Sequence, residues 1–205
     1  MNASLVTAGY RLADVGTDHG YIPIVLVQEG RIPSALAMDV NQGPLKRAEE
    51  HIKEYQLDSY IHIRLSDGVQ NLQPGEADSV LIAGMGGALV IKILQEGKEV
   101  LKTVKELILQ PQSEISKVRK YLHKQGLVII DEDMVEEDGK FYPMMKVVHG
   151  EPEEYEEYIN EGNFNLQSIQ RSYASRGLIL YCKSANSNSL IPNELNIIFP
   201  TFCIS

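Results

Sequence analysis

Apolar and polar positions over the first 150 residues alternate between two periods. Short apolar runs at Arg11–Val15, Ser34–Asp39, Ile61–Leu65, Asp78–Ala83, Glu106–Gln110, Leu127–Val135 and Tyr142–His149 predict seven strands. Helical spacing fills most of the gaps. Tyr21–Gln28 carries Pro23 in its first turn and stops before Gly30. Gln42–Tyr55 sets Leu45, Ala48, Ile52 and Tyr55 on one face, and Ala88–Glu96 does the same with Leu89, Val90, Ile93 and Leu94 before Gly97. Ser113–Gln125 reads as a helix with Ser113 as N-cap, Ile115, Val118 and Leu122 inward, and Gly126 at its exit. Strand and helix in this alternation predict an α/β fold: a Rossmann-like, doubly wound, mostly parallel seven-stranded sheet. The last two strands join through Glu136–Lys140 with no helix between them, which predicts an antiparallel hairpin at one edge.

The pattern changes after Gly150. Glu151–Glu161 reads as an acidic helix opened by Pro152, and Asn163–Tyr173 continues helically through Leu166, Ile169 and Tyr173. From Leu178 onward short apolar runs alternate with Ser/Asn-rich stretches, broken by Pro192 and Pro200. The division expected is one domain over 1–150 and a partly helical appendage over 151–205.

Composition narrows the class. A chain of 205 residues suits one domain of ordinary size with a small addition. No apolar run reaches the roughly 18 residues a membrane span needs, and the start lacks the pattern of a signal peptide. Cys182 and Cys203 are the two cysteines, which make neither a disulfide framework nor a metal-ligand spacing and fit a reducing cytoplasm. The histidines (His19, His51, His62, His123, His149) form no ligand cluster, so no metal is expected. The net charge of −9 argues against a polyanionic partner, because such binding rests on Lys and Arg at phosphates. The charge is uneven, however: acids dominate from Asp131 to Glu161, whereas from Lys92 to Lys124 eight bases face four acids. Solvated helix faces and a local phosphate-binding face both account for that stretch.

Candidate chemistry sits at the strand ends. Asp14-Val-Gly16-Thr17-Asp18-His19-Gly20 joins the first strand to the first helix. Its two glycines let backbone come close to a ligand, but the Gly-x-Gly that admits a pyrophosphate is missing. Acids at such a turn suit a cationic amino-acid end and repel a diphosphate. Asp39 ends the second strand, where an acidic side chain receives ribose hydroxyls. Asp67-Gly68 follows the third strand and could read an adenine amine. Ala83-Gly84-Met85-Gly86-Gly87 follows the fourth, opens a helix with exposed N–H donors, and leaves room for two molecules at one backbone. Gln110-Pro111-Gln112-Ser113 ends the fifth, with amides that could read a base edge.

Ligand groups at the ends of five successive strands resemble the class I S-adenosylmethionine-dependent methyltransferases. Residues 13–23 (Ala-Asp-Val-Gly-Thr-Asp-His-Gly-Tyr-Ile-Pro), Asp39 with Asn41-Gln42-Gly43-Pro44-Leu45, Arg64 with Asp67-Gly68, Ile82–Gly87, and Leu109-Gln110-Pro111 look more closely like the bacterial TrmK-type tRNA (adenine-N1)-methyltransferases, which modify adenine 22. The likeness spans about residues 3 to 150 and includes Glu136–Tyr142 as the family's final hairpin. Two features depart from it. Family members carry a basic helix ahead of the first strand, where this chain has few residues. They also end in a helical coiled-coil appendage, which this chain begins near Pro152 and leaves after about Asn163, so the tail reads as divergent or truncated.

The resemblance implies S-adenosyl-L-methionine as cofactor and tRNA as partner, in a cytoplasmic enzyme without membrane or metal, a monomer being favoured. It places the methionine portion at Asp14, Gly16, Asp18 and Gly20, with Thr17 in the same turn, the ribose at Asp39, and the cofactor's adenine at Asp67 and Gly68. Gly84, Met85, Gly86 and Gly87 become the floor where methyl and target base meet. Asp18 or His19 would take a proton from the methylated base or hydrogen-bond its amine. A methyltransferase for another acceptor and a non-catalytic cofactor- or RNA-binding module are the alternatives. The glycine spacing disfavours an NAD-linked oxidoreductase.

Overall fold

A computed structural model describes residues 2–137 and 140–150. The expected appendage over 151–205 and the tip of the hairpin lie outside the described residues. A 3-10 turn, Asn2–Leu5, leads into β1 (Leu12–Val15), α1 (Tyr21–Gln28), β2 (Ala35–Asp39), α2 (Gln42–Glu54), β3 (Ile61–Leu65), β4 (Ser79–Gly86), α3 (Gly87–Glu96), α4 (Lys98–Leu101), β5 (Glu106–Ser113), α5 (Ile115–Lys124), β6 (Leu127–Glu137) and β7 (Lys140–His149). The strands form one seven-stranded sheet in the order β3-β2-β1-β4-β5-β7-β6. β1 to β5 run parallel, and β7 is antiparallel to both β5 and β6. The doubly wound sheet and its edge hairpin are therefore as the sequence pattern predicts.

The central strands read as continuous apolar runs because both faces are covered. Their side chains alternate between two cores. Ala13, Val15, Leu36, Met38, Val80, Ile82, Leu107 and Leu109 pack with Val90, Ile93, Val118 and Leu122 of α3 and α5. Leu12, Ala35, Ala37, Leu81 and Ile108 point the other way, onto Ile24 and Leu26 of α1 and Ala48 and Ile52 of α2. Two positions expected to face inward do not: Tyr55, just past the end of α2, and Leu89 in α3 are exposed. The short helix α4 was not expected either; its four residues are too few to show helical periodicity.

Away from the strand carboxyl ends, a buried ion pair ties the start of the chain to the sheet. Glu106, the first residue of β5, accepts from the Thr7 N–H at 2.9 Å and from the Thr7 hydroxyl at 2.5 Å. Lys146 of β7 lies 3.0 Å from the same carboxylate and donates to the Thr7 hydroxyl and the Leu5 carbonyl. Both ends of the pair are thus paired and hydrogen-bonded, as burial demands. Replacing one partner strands the other charge in the interior. Lys146→Met is expected to cost roughly 3–5 kcal/mol in urea unfolding, and adding Glu106→Gln should recover part of that loss; a double variant no better than the single one contradicts the assignment.

Candidate functional site

The sheet winds outward in both directions from β1 and β4, so those two strands flank the topological switch point, where open α/β sheets hold ligands. The loops after β1 to β5 all open at this edge.

The turn after β1 is fixed to the end of β2. The N–H groups of Gly16 and Thr17 both donate to the Met38 carbonyl, at 2.8 and 3.0 Å. Gly16, Asp18 and Gly20 all have positive φ (75°, 49° and 73°). Asp18 tolerates this region because a short polar side chain can bond locally, and its carboxylate accepts from Arg47 at 3.0 Å. A side chain at residue 16 would overlap the terminal methyl of Met85, and one at residue 20 would crowd Ala48 at 3.3 Å. Both glycines therefore meet two demands, backbone conformation and space.

Asp14 lies beneath this turn rather than at its surface. Its buried carboxyl accepts a 2.7 Å hydrogen bond from the Thr17 hydroxyl. Burial away from water pushes its pKa up to about 6; the Thr17 hydroxyl opposes the rise, and the charge of Asp39 adds to it. Asp39 itself is largely buried, with one oxygen holding the Asn41 N–H at 2.8 Å. Its second oxygen has no protein partner among the described residues. Val40 follows with 57% exposure, an apolar surface beside the acid that sequence reasoning passed over. The signal was there: an apolar residue in a loop, next to a candidate ribose acceptor.

The third loop continues the line. The Ser66 N–H donates to the Asp39 carbonyl at 2.9 Å, and the Ser66 hydroxyl bridges the Gly68 carbonyl and the Asn71 N–H. Asp67 points outward, 3.6 Å from Lys92. Gly68 has φ 56° and packs its Cα face on Ile93.

At the fourth loop the structure corrects the expected boundary. β4 does not stop at Ala83; it runs on through Gly84, Met85 and Gly86, because β5 also runs on and pairs Met85 with Pro111 and Gly86 with Ser113 across two register shifts. The Gly84 N–H donates to Gln110 Oε1 at 2.9 Å. Gln110 Nε2 is left as a buried donor without a partner among the described residues. Ser113 is the last residue of β5 and not a helix cap; Glu114, at φ 52°, takes that place before α5. Ser113 Oγ instead accepts from the Gly87 N–H at 3.4 Å. The N–H donors expected to stand open at the start of α3 are thus partly used by the protein itself. At Gly87 any Cβ would strike the Ser113 carbonyl, whereas at Gly86 it would lie 3.3 Å from the Ser113 hydroxyl. Gly87 serves packing, and Gly86 is exposed to the pocket edge.

The structure therefore gathers Gly16, Thr17, Asp18, His19 and Gly20, then Asp39, Asp67 with Gly68, and Gly84 to Gly87 along one edge. It also brings in groups that sequence reasoning missed: Arg47 and His51 of α2, and Tyr21 at the start of α1. His19 Nδ1 is buried with no partner among the described residues.

The base-rich stretch is mostly neutralised locally. Lys92 meets Asp67 and Glu96, Lys102 meets Glu99, Lys105 meets Asp78, Lys117 meets Glu114, and Arg119 meets Glu132. Most of these pairs are exposed, and such pairs contribute little, so their bases can exchange an acid for another anion at small cost. Among the described residues no three His, Cys, Asp or Glu side chains gather as a metal site. No described helix is long and apolar enough to cross a membrane.

Comparison with known proteins accords with this arrangement. A family model described as a methyltransferase domain matches residues 1–145. The tRNA (adenine(22)-N(1))-methyltransferase of Bacillus subtilis is 38% identical over 149 residues, which cover 73% of this chain and 63% of that protein. The chain thus spans under two thirds of the length of that relative. A Streptococcus pneumoniae protein solved in complex with S-adenosyl-L-methionine superposes with a TM-score of 0.76 at 35% identity, covering 86% of this chain and 83% of the other. The crystal structure of the B. subtilis M1A22 tRNA methyltransferase TrmK gives a TM-score of 0.70 at 36% identity, covering 74% and 65%.

Asp14 makes a pH-dependent contribution whose sign is opposite to that of an ion-paired acid. Its folded pKa of about 6 lies above the unfolded value of 3.8, so between these the folded state binds more proton and stability falls as pH rises. Keeping the buried carboxylate ionised at pH 7 costs about 3 kcal/mol relative to the unfolded chain. Asp14→Asn keeps an acceptor for Thr17 and removes the charge. The ligand-free variant is expected to melt higher than the parent at pH 7 and to lose the decline between about pH 4 and 6; thermal unfolding across that range that shows the same decline in both proteins places the shift elsewhere.

Proposed function

The chain belongs to the methyltransferase-domain family, and we propose that it transfers a methyl group from S-adenosyl-L-methionine to N1 of an adenine in tRNA, at position 22, in the cytoplasm. The observation that carries this reading is the continuous edge from the Gly16–Gly20 turn through Asp39 and Gly68 to Gly84–Gly87, in a chain whose relatives include a tRNA (adenine(22)-N(1))-methyltransferase. Residues 1–150 form the catalytic domain in this reading, and 151–205 an appendage.

The residues fit the cofactor. Gly16 and Gly20 keep side chains out of the turn, so the backbone and Asp18 face a cationic methionine end, with the Asp14 carboxyl buried beneath them. Asp39 keeps one carboxylate oxygen for a ribose hydroxyl after its turn bond to Asn41. Val40 and the Asp67-Gly68 loop offer an apolar face and a carboxylate to an adenine. When bound, S-adenosyl-L-methionine supplies an electrophilic methyl group on a positively charged sulfur.

Adenine N1 attacks with its own in-plane lone pair, so the chain needs no activated nucleophile and contributes position and electrostatics. Met85 and Gly86 make the floor under the reacting atoms. Gln110, held by its bond to Gly84, keeps a buried N–H donor without a partner among the described residues close behind this floor. Asp18 or His19 takes the proton that the methylated base releases. N1 lies on the Watson–Crick edge, so a paired target must first leave its stack, at a cost of a few kcal/mol.

Two measurements test this. The protein incubated with labelled methyl donor and tRNA lacking the modification should yield labelled 1-methyladenosine on nucleoside analysis; label in another nucleoside or on protein redirects the acceptor, and no transfer despite cofactor binding leaves a binding module. Asp39→Ala should raise the cofactor dissociation constant about 10- to 100-fold, the value of a charge-assisted hydrogen bond. Calorimetric titration with unchanged affinity removes the ribose assignment.

A further inference from the structure

Three rings stand together at the rim of the site, and the reading above uses only His19 among them, as a proton acceptor. His19, Tyr21 and His51 come from the β1–α1 turn, the first residue of α1 and the last turn of α2. Their centroids are 5.3 Å (His19–Tyr21), 5.7 Å (His19–His51) and 5.1 Å (Tyr21–His51) apart, and their planes agree within 12° to 22°. The group is held in place: the His51 Nδ1–H donates to the His19 carbonyl at 3.0 Å, and Gly20 between the two turn residues leaves no side chain in the way. Yet Tyr21 is 56% exposed. A large aromatic ring kept parallel to its neighbours and open to water is arranged for contact, not for the core.

Arg47 lies one helical turn before His51 on α2, on the same face. Its guanidinium reaches Asp18 at 3.0 Å in an exposed pair. Such a pair contributes little, so the guanidinium can turn to a phosphate at small cost. A flat aromatic surface beside a mobile cation matches the two halves of one nucleotide, a base to stack and a phosphate to pair.

We propose that His19, Tyr21, His51 and Arg47 hold an unstacked nucleotide of the RNA substrate that flanks the methylated adenine. The rings take its base and Arg47 its phosphate. Displacing that neighbour breaks the stack around the target and exposes N1. The proposal rests on the tRNA reading given above, and its test separates the two.

Binding of unmodified tRNA is measured directly, without turnover, for the parent, Tyr21→Leu, Tyr21→Phe and Arg47→Gln, together with cofactor affinity and thermal stability. Tyr21→Leu should weaken tRNA binding about 5- to 100-fold, the range for one lost base–aromatic stack. Tyr21→Phe should stay near the parent, and both should keep cofactor affinity and melting temperature. Arg47→Gln should lower the slope of log affinity against log salt by about one, the mark of a single phosphate contact. Tyr21→Leu that binds tRNA like the parent overturns the platform while the tRNA reading stands. Tyr21→Leu that loses cofactor affinity in parallel shows that the rings only brace the turn. A parent that binds no tRNA removes both.

Discussion

The site depends on how the glycine turn after β1 fits against the Met85 side chain at the end of β4. Gly16 ends the turn of β1, Met85 sits in the extended end of β4, and the Met85 methyl occupies the space a side chain at residue 16 would need. These strands are neighbours at the switch point of the winding. With residue 16 reduced to a hydrogen, the turn and the glycine strand meet without a gap, and the line of loops from Gly68 to Gly86 becomes one edge. The Met38 carbonyl, accepting from both Gly16 and Thr17, locks the turn against β2 at the same time. A larger residue at position 16 would have to push the Met85 methyl aside and hold a positive φ that side chains rarely adopt.

Charge follows from that geometry. Asp14 and Asp39 lie on the same face of adjacent strands, and each is largely buried. The charge of Asp39 adds to the cost of ionising Asp14, and burial is the larger part of that cost. The same chain, with a net charge of −9, has to meet a polyanion under the proposed function. Its bases are not in one open patch; most stand in exposed pairs with acids. Binding by exchange of partners, rather than by a preformed basic groove, is what this surface supports.

How much of this was legible follows from the range of each interaction. Periodicity is local, so the strands, four of the helices and the edge hairpin could be read directly. The turn residues Gly16, Gly20, Asp39 and Gly68 could be read too, because strand ends in a doubly wound sheet fall on one edge. The end of β4 could not: three glycines read as a turn, and only the matching extension of β5 makes Gly84 and Gly86 part of a strand. Ser113 read as a cap because its type and place fit one, but its hydroxyl was taken by Gly87 from another element. The stack of His19 and Tyr21 on His51 joins residues 32 apart through the packing of α1 beside α2, and no spacing in the chain records it.

The start of α3 decides which kind of cofactor the fold can accept. A helix N-terminus beside a glycine loop is the usual seat of a phosphate, because its free N–H groups and dipole attract an anion. Here the Gly87 N–H goes to the Ser113 hydroxyl. The turn after β1 likewise lacks the closer glycine pair and carries Asp18 instead. The turn after β1 is therefore unsuited to a dinucleotide by charge as well as by spacing. What the strand ends leave exposed is backbone glycine beside carboxylates, and under the proposed function that surface suits a cationic sulfur compound beside a neutral purine.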